Sequence, residues 1–110
     1  MLVSYFVSIH VNRSEHDYVS LILDGYVLAT QVTVFTGMPK KPNEDFHRDK
    51  LDQGILEITT DGENFVQVAR FIDGVADYLP QSPFMLKAVR IRATGKQGSW
   101  LAVREIKIFY

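Results

Sequence analysis

Residues 54–71 read GILEITTDGENFVQVARF, and the pattern of this stretch decides the fold class. At its start Leu56 and Ile58 alternate with Glu57 and Thr59. A period of two places the two pairs on opposite faces of a β-strand. The stretch therefore predicts a strand with one apolar face.

The middle of the same stretch, TDGEN, carries a turn signal. Asp61-Gly62 predicts a tight primed turn, because such a turn needs the positive φ angles that Asp and Gly tolerate. The chain then returns as a second strand over residues 65–71. Together these features predict a β-hairpin.

Alternation of this kind recurs along most of the chain. Apolar residues at every second position predict further half-buried strands, and they are Val19, Leu21 and Leu23, then Val32 and Val34, then Val89, Ile91 and Ala93. In the last segment the apolar residues Leu101 and Val103 occupy odd-numbered positions, whereas Ile106 and Ile108 occupy even-numbered positions. This change of parity predicts a β-bulge near Arg104 and Glu105.

No window of ten or more residues shows a helical stripe, and the two longer connections, residues 37–53 and 72–84, hold all four prolines. About seven or eight strands without helices are typical of a sandwich or jelly roll. The sequence therefore predicts an all-β, antiparallel β-sandwich.

Size and composition limit the function. With 110 residues the chain is predicted to form one domain over residues 1–110. Its formal net charge of −1 gives no broad positive field for nucleic acid, so no nucleic-acid partner is expected. There is no cysteine, which excludes disulfides and thiolate metal sites. The apolar opening, MLVSYFVSIHV, is too short to span a bilayer, so it is interpreted as a strand. No membrane partner is expected.

Two long stretches carry a family resemblance. GILEITTDGENFVQVARF resembles a hairpin of the factor V/VIII C-type, or discoidin-like, domains, which carbohydrate-binding modules of bacterial glycoside hydrolases share. MLKAVRIRATGKQGSWLAVREIKIF resembles the two closing strands of that family. HDYVSLILDGYVLATQVTVFTG and SYFVS are similar to earlier passages, in the same order.

The resemblance implies a galactose-binding-domain-like β-sandwich whose ligands lie on loops at one end, opposite the termini. Family members usually have a further N-terminal strand and an Asp-Gly-Asn loop that helps to hold a structural calcium ion, and this chain starts at the SYFVS box. Glu105 matches a position that can assist calcium in relatives, but the simpler interpretation, which we favour, is that it pairs with Arg104 or a neighbouring strand. A hard cation needs six to eight oxygen ligands. The Asp-Gly-Asn loop would have supplied several of these ligands, so no cofactor is expected, and a structural calcium ion is the alternative.

The candidate ligand-binding residues come from two loops. Because the last strand ends at the C-terminus, it must begin at the other end, among the loops to which the resemblance assigns ligands. Sugars stack on aromatic rings and hydrogen-bond to polar side chains. The candidates in residues 38–53 and 94–100 are Asn43, Phe46, His47, Arg48, Lys96, Gln97 and Trp100.

Each candidate has a simpler explanation. Trp100 can pack in the core or at its rim, and charged loop residues are commonly only solvated. A zinc site at His10, His16 and His47 is a further alternative, although these residues lack the tight spacing of metal ligands.

No catalytic motif is evident. The serines lack a nucleophile-elbow context, and there is no glycine-rich phosphate loop. Glu44 and Asp45 are adjacent, which does not establish the separation a glycosidase needs. We expect a non-catalytic carbohydrate-binding module of a larger glycoside hydrolase or cell-surface protein, extracellular or at a bacterial surface, with a catalytic domain as its neighbour. The alternatives are a structural or protein-interaction sandwich without a glycan ligand and a lipid-binding domain, which would need exposed apolar spikes that this sequence does not show.

Overall fold

The protein is described from a computed structural model, which covers residues 2–11, 18–37, 51, 53–95 and 101–110. These residues form eight strands: β1 (Leu2–Val11), β2 (Tyr18–Ala29), β3 (Gln31–Thr36), β4 (Gly54–Thr59), β5 (Phe65–Arg70), β6 (Val75–Tyr78), β7 (Phe84–Ala93) and β8 (Leu101–Phe109). The described part of the chain contains no helix, and hence none that could cross a membrane.

The strands form two four-stranded antiparallel sheets that pack face to face. The first sheet has the order β1-β8-β3-β6, and the second has the order β2-β7-β4-β5. The predicted antiparallel β-sandwich is therefore confirmed.

The core lies between the sheets and is built from the predicted alternating positions. From the second sheet Leu56, Ile58, Val89 and Ile91 are buried, with Leu23 beside them. The first sheet contributes Val32, Val34, Val103, Ile106 and Ile108. Because successive side chains of a strand point to opposite faces, one set of alternate side chains fills the core and the other set forms the outer faces.

The predicted β-bulge is present. Phe35 is opposite Glu105 and Thr36 is opposite Val103, so β8 has one more residue than β3 at Arg104. This extra residue lets both Val103 and Ile106 point into the core.

The turn between β4 and β5 differs from the prediction. Asp61-Gly62 was expected to form a tight primed turn, but β4 and β5 are joined by five residues, and only Gly62 of this pair has a positive φ, at 88°. The Asp61 carboxylate accepts hydrogen bonds from the backbone N–H groups of Asn64 and Glu63 at 2.8 Å, which lower the pKa of Asp61. A side-chain cap thus replaces the tight turn.

The tight turn occurs instead at Asp73-Gly74, where φ is 51° and 83°. It joins β5 to β6 through a pair of hydrogen bonds between Ile72 and Val75. The prediction of a continuous connection over residues 72–84 was wrong, because β6 lies within it and pairs with β3.

Gly74→Ala is expected to lower the free energy of unfolding by about 1–2 kcal/mol, because a Cβ atom is strained at this φ. Gly25→Ala is the matched control, since a Cβ atom there would have no neighbour within 4 Å and Gly25 lacks a positive φ. Urea unfolding of both variants measures the difference. Equal losses, or none in either, would contradict a strained turn at Gly74.

The outer face of β4 is more buried than the alternation predicts. Glu57 is buried, and its Oε1 atom accepts hydrogen bonds from the Nε atoms of Arg90 and Arg92, both at 2.9 Å. The Arg90 guanidinium lies 3.9 Å from the Phe65 ring centroid and 5.1 Å from that of Tyr18. The two arginines therefore face a carboxylate, and the aromatic rings help to cover the cluster.

The Glu57 cluster makes stability depend on pH. Burial raises the pKa of Glu57, but the hydrogen bonds and positive charges of Arg90 and Arg92 outweigh it and lower that pKa overall. A carboxylate whose folded-state pKa is depressed stabilises the fold above its unfolded pKa of about 4.3, and this contribution is lost as the pH falls.

Glu57→Gln is expected to reduce the free energy of unfolding at pH 7 by about 1–3 kcal/mol, because two partly buried guanidinium groups lose their counter-charge. The variant should also show a shallower loss of stability than the wild type as the pH falls below about 4.3. Denaturant titrations at a series of pH values check both effects. Glu63→Gln, at an exposed site, is the control; identical pH profiles for wild type and Glu57→Gln would contradict the assignment.

Candidate functional site

Four connections leave the sandwich at the same end. Val11 is opposite Leu101, Ala93 is opposite Gly54, and Phe35 is opposite Val75. The connections of residues 12–17, 37–53, 71–74 and 94–100 therefore all start at this end, which we call the loop end. Leu2 and Phe109 are paired at the opposite end. The expectation that β8 begins away from the terminus is confirmed.

The seven candidate residues lie in two of these connections and outside the described residues: Asn43, Phe46, His47, Arg48, Lys96, Gln97 and Trp100. The described residues that flank them, Gly37 and Leu51 on one connection and Gly95 and Leu101 on the other, lie at the loop end. The candidates therefore stay predictions. The residues at which their connections leave and rejoin the strands, which we call the roots, share one end of the sandwich.

The roots of the β3–β4 connection are held by Thr36. This buried residue donates from its hydroxyl to the Gly74 carbonyl oxygen at 2.7 Å and accepts from the Leu51 N–H at 3.0 Å. Its own N–H donates to the same Gly74 oxygen at 2.8 Å. One side chain thus joins the β5–β6 turn to both roots of the longest connection.

Leu51 anchors the returning end of this connection. Its side chain is completely buried in the core. A Cβ atom at Gly54 would come within 2.3 Å of the Leu51 Cδ2 atom, so the absence of a side chain at Gly54 makes room for Leu51. The Phe71 N–H donates to the Gly54 carbonyl oxygen at 3.0 Å, which fixes the adjacent turn to the same point.

A second contact joins the two connections that carry the candidates. The Thr94 N–H donates to the Gln53 carbonyl oxygen at 3.1 Å. The Gln53 side chain occupies the space where a Cβ atom of Gly95 would be, since its Oε1 atom would lie only 1.7 Å away. The β3–β4 and β7–β8 connections are therefore fixed to each other where they leave the strands.

The described surface of the loop end mixes polar and apolar groups. Gln53 and Thr94 are exposed beside the joined roots, and Ile72 is exposed on the β5–β6 turn. Sequence reasoning did not single out Gln53, Ile72 or Thr36, and the third Asp-Gly pair, Asp73-Gly74, was the signal that could have located the turn. No cavity is found among the described residues. They also hold no group of three or more His, Asp or Glu residues suited to a metal ion.

Thr36→Val is expected to lower the free energy of unfolding by about 1–3 kcal/mol, because the buried Leu51 N–H loses its acceptor. Amide hydrogen exchange at Leu51 should accelerate more than exchange at core strands such as β7. Thr36→Ser retains the hydroxyl and is the control. If Thr36→Val left Leu51 exchange unchanged, Thr36 would not hold this connection.

Comparison with protein-family models gives no match, and neither does comparison with curated protein sequences. Solved structures do match. CBM32-1 from a family 31 glycoside hydrolase of Clostridium perfringens superposes with a TM-score of 0.68 at 12% identity, over 94% of this chain and 76% of that chain.

Two further modules from the same organism are similar. CpGH89CBM32-6 matches with a TM-score of 0.61 at 17% identity, over 93% of this chain and 75% of that one. CpGH89CBM32-5, solved in complex with GalNAc-β-1,3-galactose, matches with a TM-score of 0.62 at 14% identity, over 99% and 95% of the respective chains. At these identities the likeness concerns the fold, and it confirms the discoidin-like, galactose-binding-like β-sandwich that the sequence motifs predict.

Proposed function

We propose that this chain is a non-catalytic carbohydrate-binding module that holds a glycan at the loop end. The observation that carries the proposal is the joining of the β3–β4 and β7–β8 connections at Thr94 and Gln53. These two connections contain every candidate residue. The shared fold with CpGH89CBM32-5, solved with a bound disaccharide, supports carbohydrate as the ligand class.

The chemistry at the loop end would divide between stacking and hydrogen bonding. Trp100 and Phe46 offer rings for the apolar face of a sugar. The amide, imidazole, guanidinium and ammonium groups that could bind hydroxyls belong to Asn43, Gln97, His47, Arg48 and Lys96. The strands that carry these connections would supply rigid roots, so less conformational entropy is lost on binding.

Such a module would act by localisation. A single exposed site binds a sugar weakly, but attachment to a catalytic domain raises the local concentration of that domain on a glycan surface. We therefore propose that the chain works outside the cell or at a bacterial surface, as an accessory to a glycoside hydrolase or a cell-surface protein. Nucleic acid and lipid are not expected as ligands, and the proposal includes no cofactor.

The test is a glycan-array screen followed by calorimetric titration of the best ligand, starting with GalNAc-β-1,3-galactose. Trp100→Ala and His47→Ala should each weaken binding by at least about tenfold, equivalent to about 1.4 kcal/mol. Tyr110→Ala removes an exposed aromatic ring near the opposite end and should leave binding unchanged. Circular dichroism should confirm that all variants are folded.

Absence of binding by the folded wild type across the array would reject the carbohydrate function. It would favour the alternative of a structural or protein-interaction sandwich. Binding that survives both Trp100→Ala and His47→Ala would keep the function but move the site away from these residues.

A further inference from the structure

The outer side of the second sheet carries a row of exposed apolar side chains along its edge strand. Four of them lie on β2, and the fifth, Met85, is opposite Leu28 on β7. Their exposed fractions are 57% for Tyr18, 70% for Ile22, 52% for Tyr26, 58% for Leu28 and 44% for Met85. We call these five residues the β2 stripe.

The stripe residues of β2 lie on the face of the strand opposite to the one that packs against the core. Leu23 is buried, and Val19, Leu21 and Val27 pack against the core. The register of β2 against β7 shifts between Ile22 and Val27, and the strand on both sides of the shift keeps apolar residues outward. The stripe is roughly 30 Å long and 15 Å wide, or about 450 Å² in projection. The exposed Ser20 and Asp24 also lie on β2 between these residues, and exposed apolar side chains concentrated along one edge strand favour an interaction site.

The two ends of the stripe carry opposite charges. At the loop end Tyr18 is opposite Arg92 and lies beside Arg90. At the other end the Tyr26 hydroxyl donates to the Asp61 carbonyl oxygen at 3.2 Å, which places the exposed Asp61 and Glu63 next to the stripe.

One cation lies near the acidic end. The Lys87 ammonium group donates to the Leu23 carbonyl oxygen at 2.6 Å and lies 5.6 Å from the Tyr26 ring centroid. Its charge is directed at these groups of the same chain. The surface therefore runs from an end with two arginines that share the Glu57 carboxylate, over apolar side chains and the exposed Asp24, to an end with the exposed carboxylates of Asp61 and Glu63.

We propose that a second copy of this chain covers the β2 stripe, with the two β2 strands antiparallel. A two-fold axis in the plane of the interface and across the strands brings the loop end of one copy over the opposite end of the other. Tyr18 of one copy then faces Leu28 and Met85 of the other, Ile22 lies near the axis, and the cationic ends face the carboxylates. Such self-complementarity is what an isologous interface requires.

The area predicts a weak dimer. About 450 Å² of projected surface per copy lies at the low end of interface sizes, below the roughly 800 Å² per partner of standard complexes. Association in the micromolar range is expected, and added salt should weaken it because exposed charges at both ends contribute.

The antiparallel arrangement would also set the geometry of binding, and this step rests on the proposed function. The two loop ends point in opposite directions, so the dimer would bridge two glycan chains and not bind one chain twice. Dimerisation itself does not depend on a glycan, and Trp100→Ala should dimerise like the wild type.

Sedimentation velocity over a range from micromolar to millimolar protein tests association. The wild type should shift from monomer to dimer, and Ile22→Glu should weaken dimerisation by at least tenfold because it places two carboxylates near the axis. Ile72→Glu changes an equally exposed isoleucine outside the stripe and is the matched control. A wild type that stays monomeric, or a dimer unaffected by Ile22→Glu, would overturn the proposal and leave the stripe to a different protein.

Cross-linking tests the orientation, and the absence of native cysteine makes it unambiguous. A mixture of Tyr18→Cys and Leu28→Cys chains should form a mixed disulfide under mild oxidation, whereas each variant alone should stay largely monomeric. Ile72→Cys mixed with either variant should not cross-link. Preferential cross-linking of Tyr18→Cys to itself would overturn the antiparallel arrangement.

Discussion

β7 and β8 are inner strands, and each is hydrogen-bonded to neighbours on both sides within its own sheet. The rest of this structure depends on this constraint. β7 lies between β2 and β4, and β8 lies between β1 and β3. The chain must therefore pass from the interior of one sheet to the interior of the other through residues 94–100. The β3–β4 connection makes the same passage between inner strands. Strands hydrogen-bonded on both sides hold the roots of both connections, so the loop end has a rigid base.

Much of this architecture follows from local patterns in the sequence. Alternation identified the buried positions of β3, β4 and β7, and the change of parity between Val103 and Ile106 located the bulge. β6 was missed because a four-residue strand gives too short a pattern. The sequence also contains three Asp-Gly pairs, at residues 24–25, 61–62 and 73–74, and the first of them lies within β2. Which of the other two forms the tight turn depends on the length of the loop and on side-chain caps. At Asp61 the carboxylate stabilises a loop of five residues between β4 and β5. Asp73 and Gly74 instead lie directly between the hydrogen-bonded residues Ile72 and Val75, so the turn has only two central residues.

The candidate site was predictable only in part. The sequence pattern alone shows that the last strand begins at the end opposite the C-terminus. The family resemblance was needed to assign the ligand loops to that end, and the β5–β6 turn was missed together with β6. The contacts of Thr36 and Gln53 depend on tertiary structure, since Thr36 meets Gly74 across 38 positions of the chain. The burial of Glu57 was likewise unforeseen, because arginines from β7 and the Phe65 ring cover it. The outer side of the second sheet is thus divided into a covered half around Glu57 and an open half along β2.

The fixed roots of the β3–β4 connection have a consequence for how such a framework can diversify. Thr36 holds the departing end, and Leu51 with Gln53 holds the returning end, so the intervening segment closes a loop whose ends are already in place. Closure entropy grows slowly, by about 0.6 kcal/mol for each doubling of length. Segments of quite different length and composition could therefore be exchanged between these anchors at little cost to folding, and ligand preference could change while the sandwich stays the same.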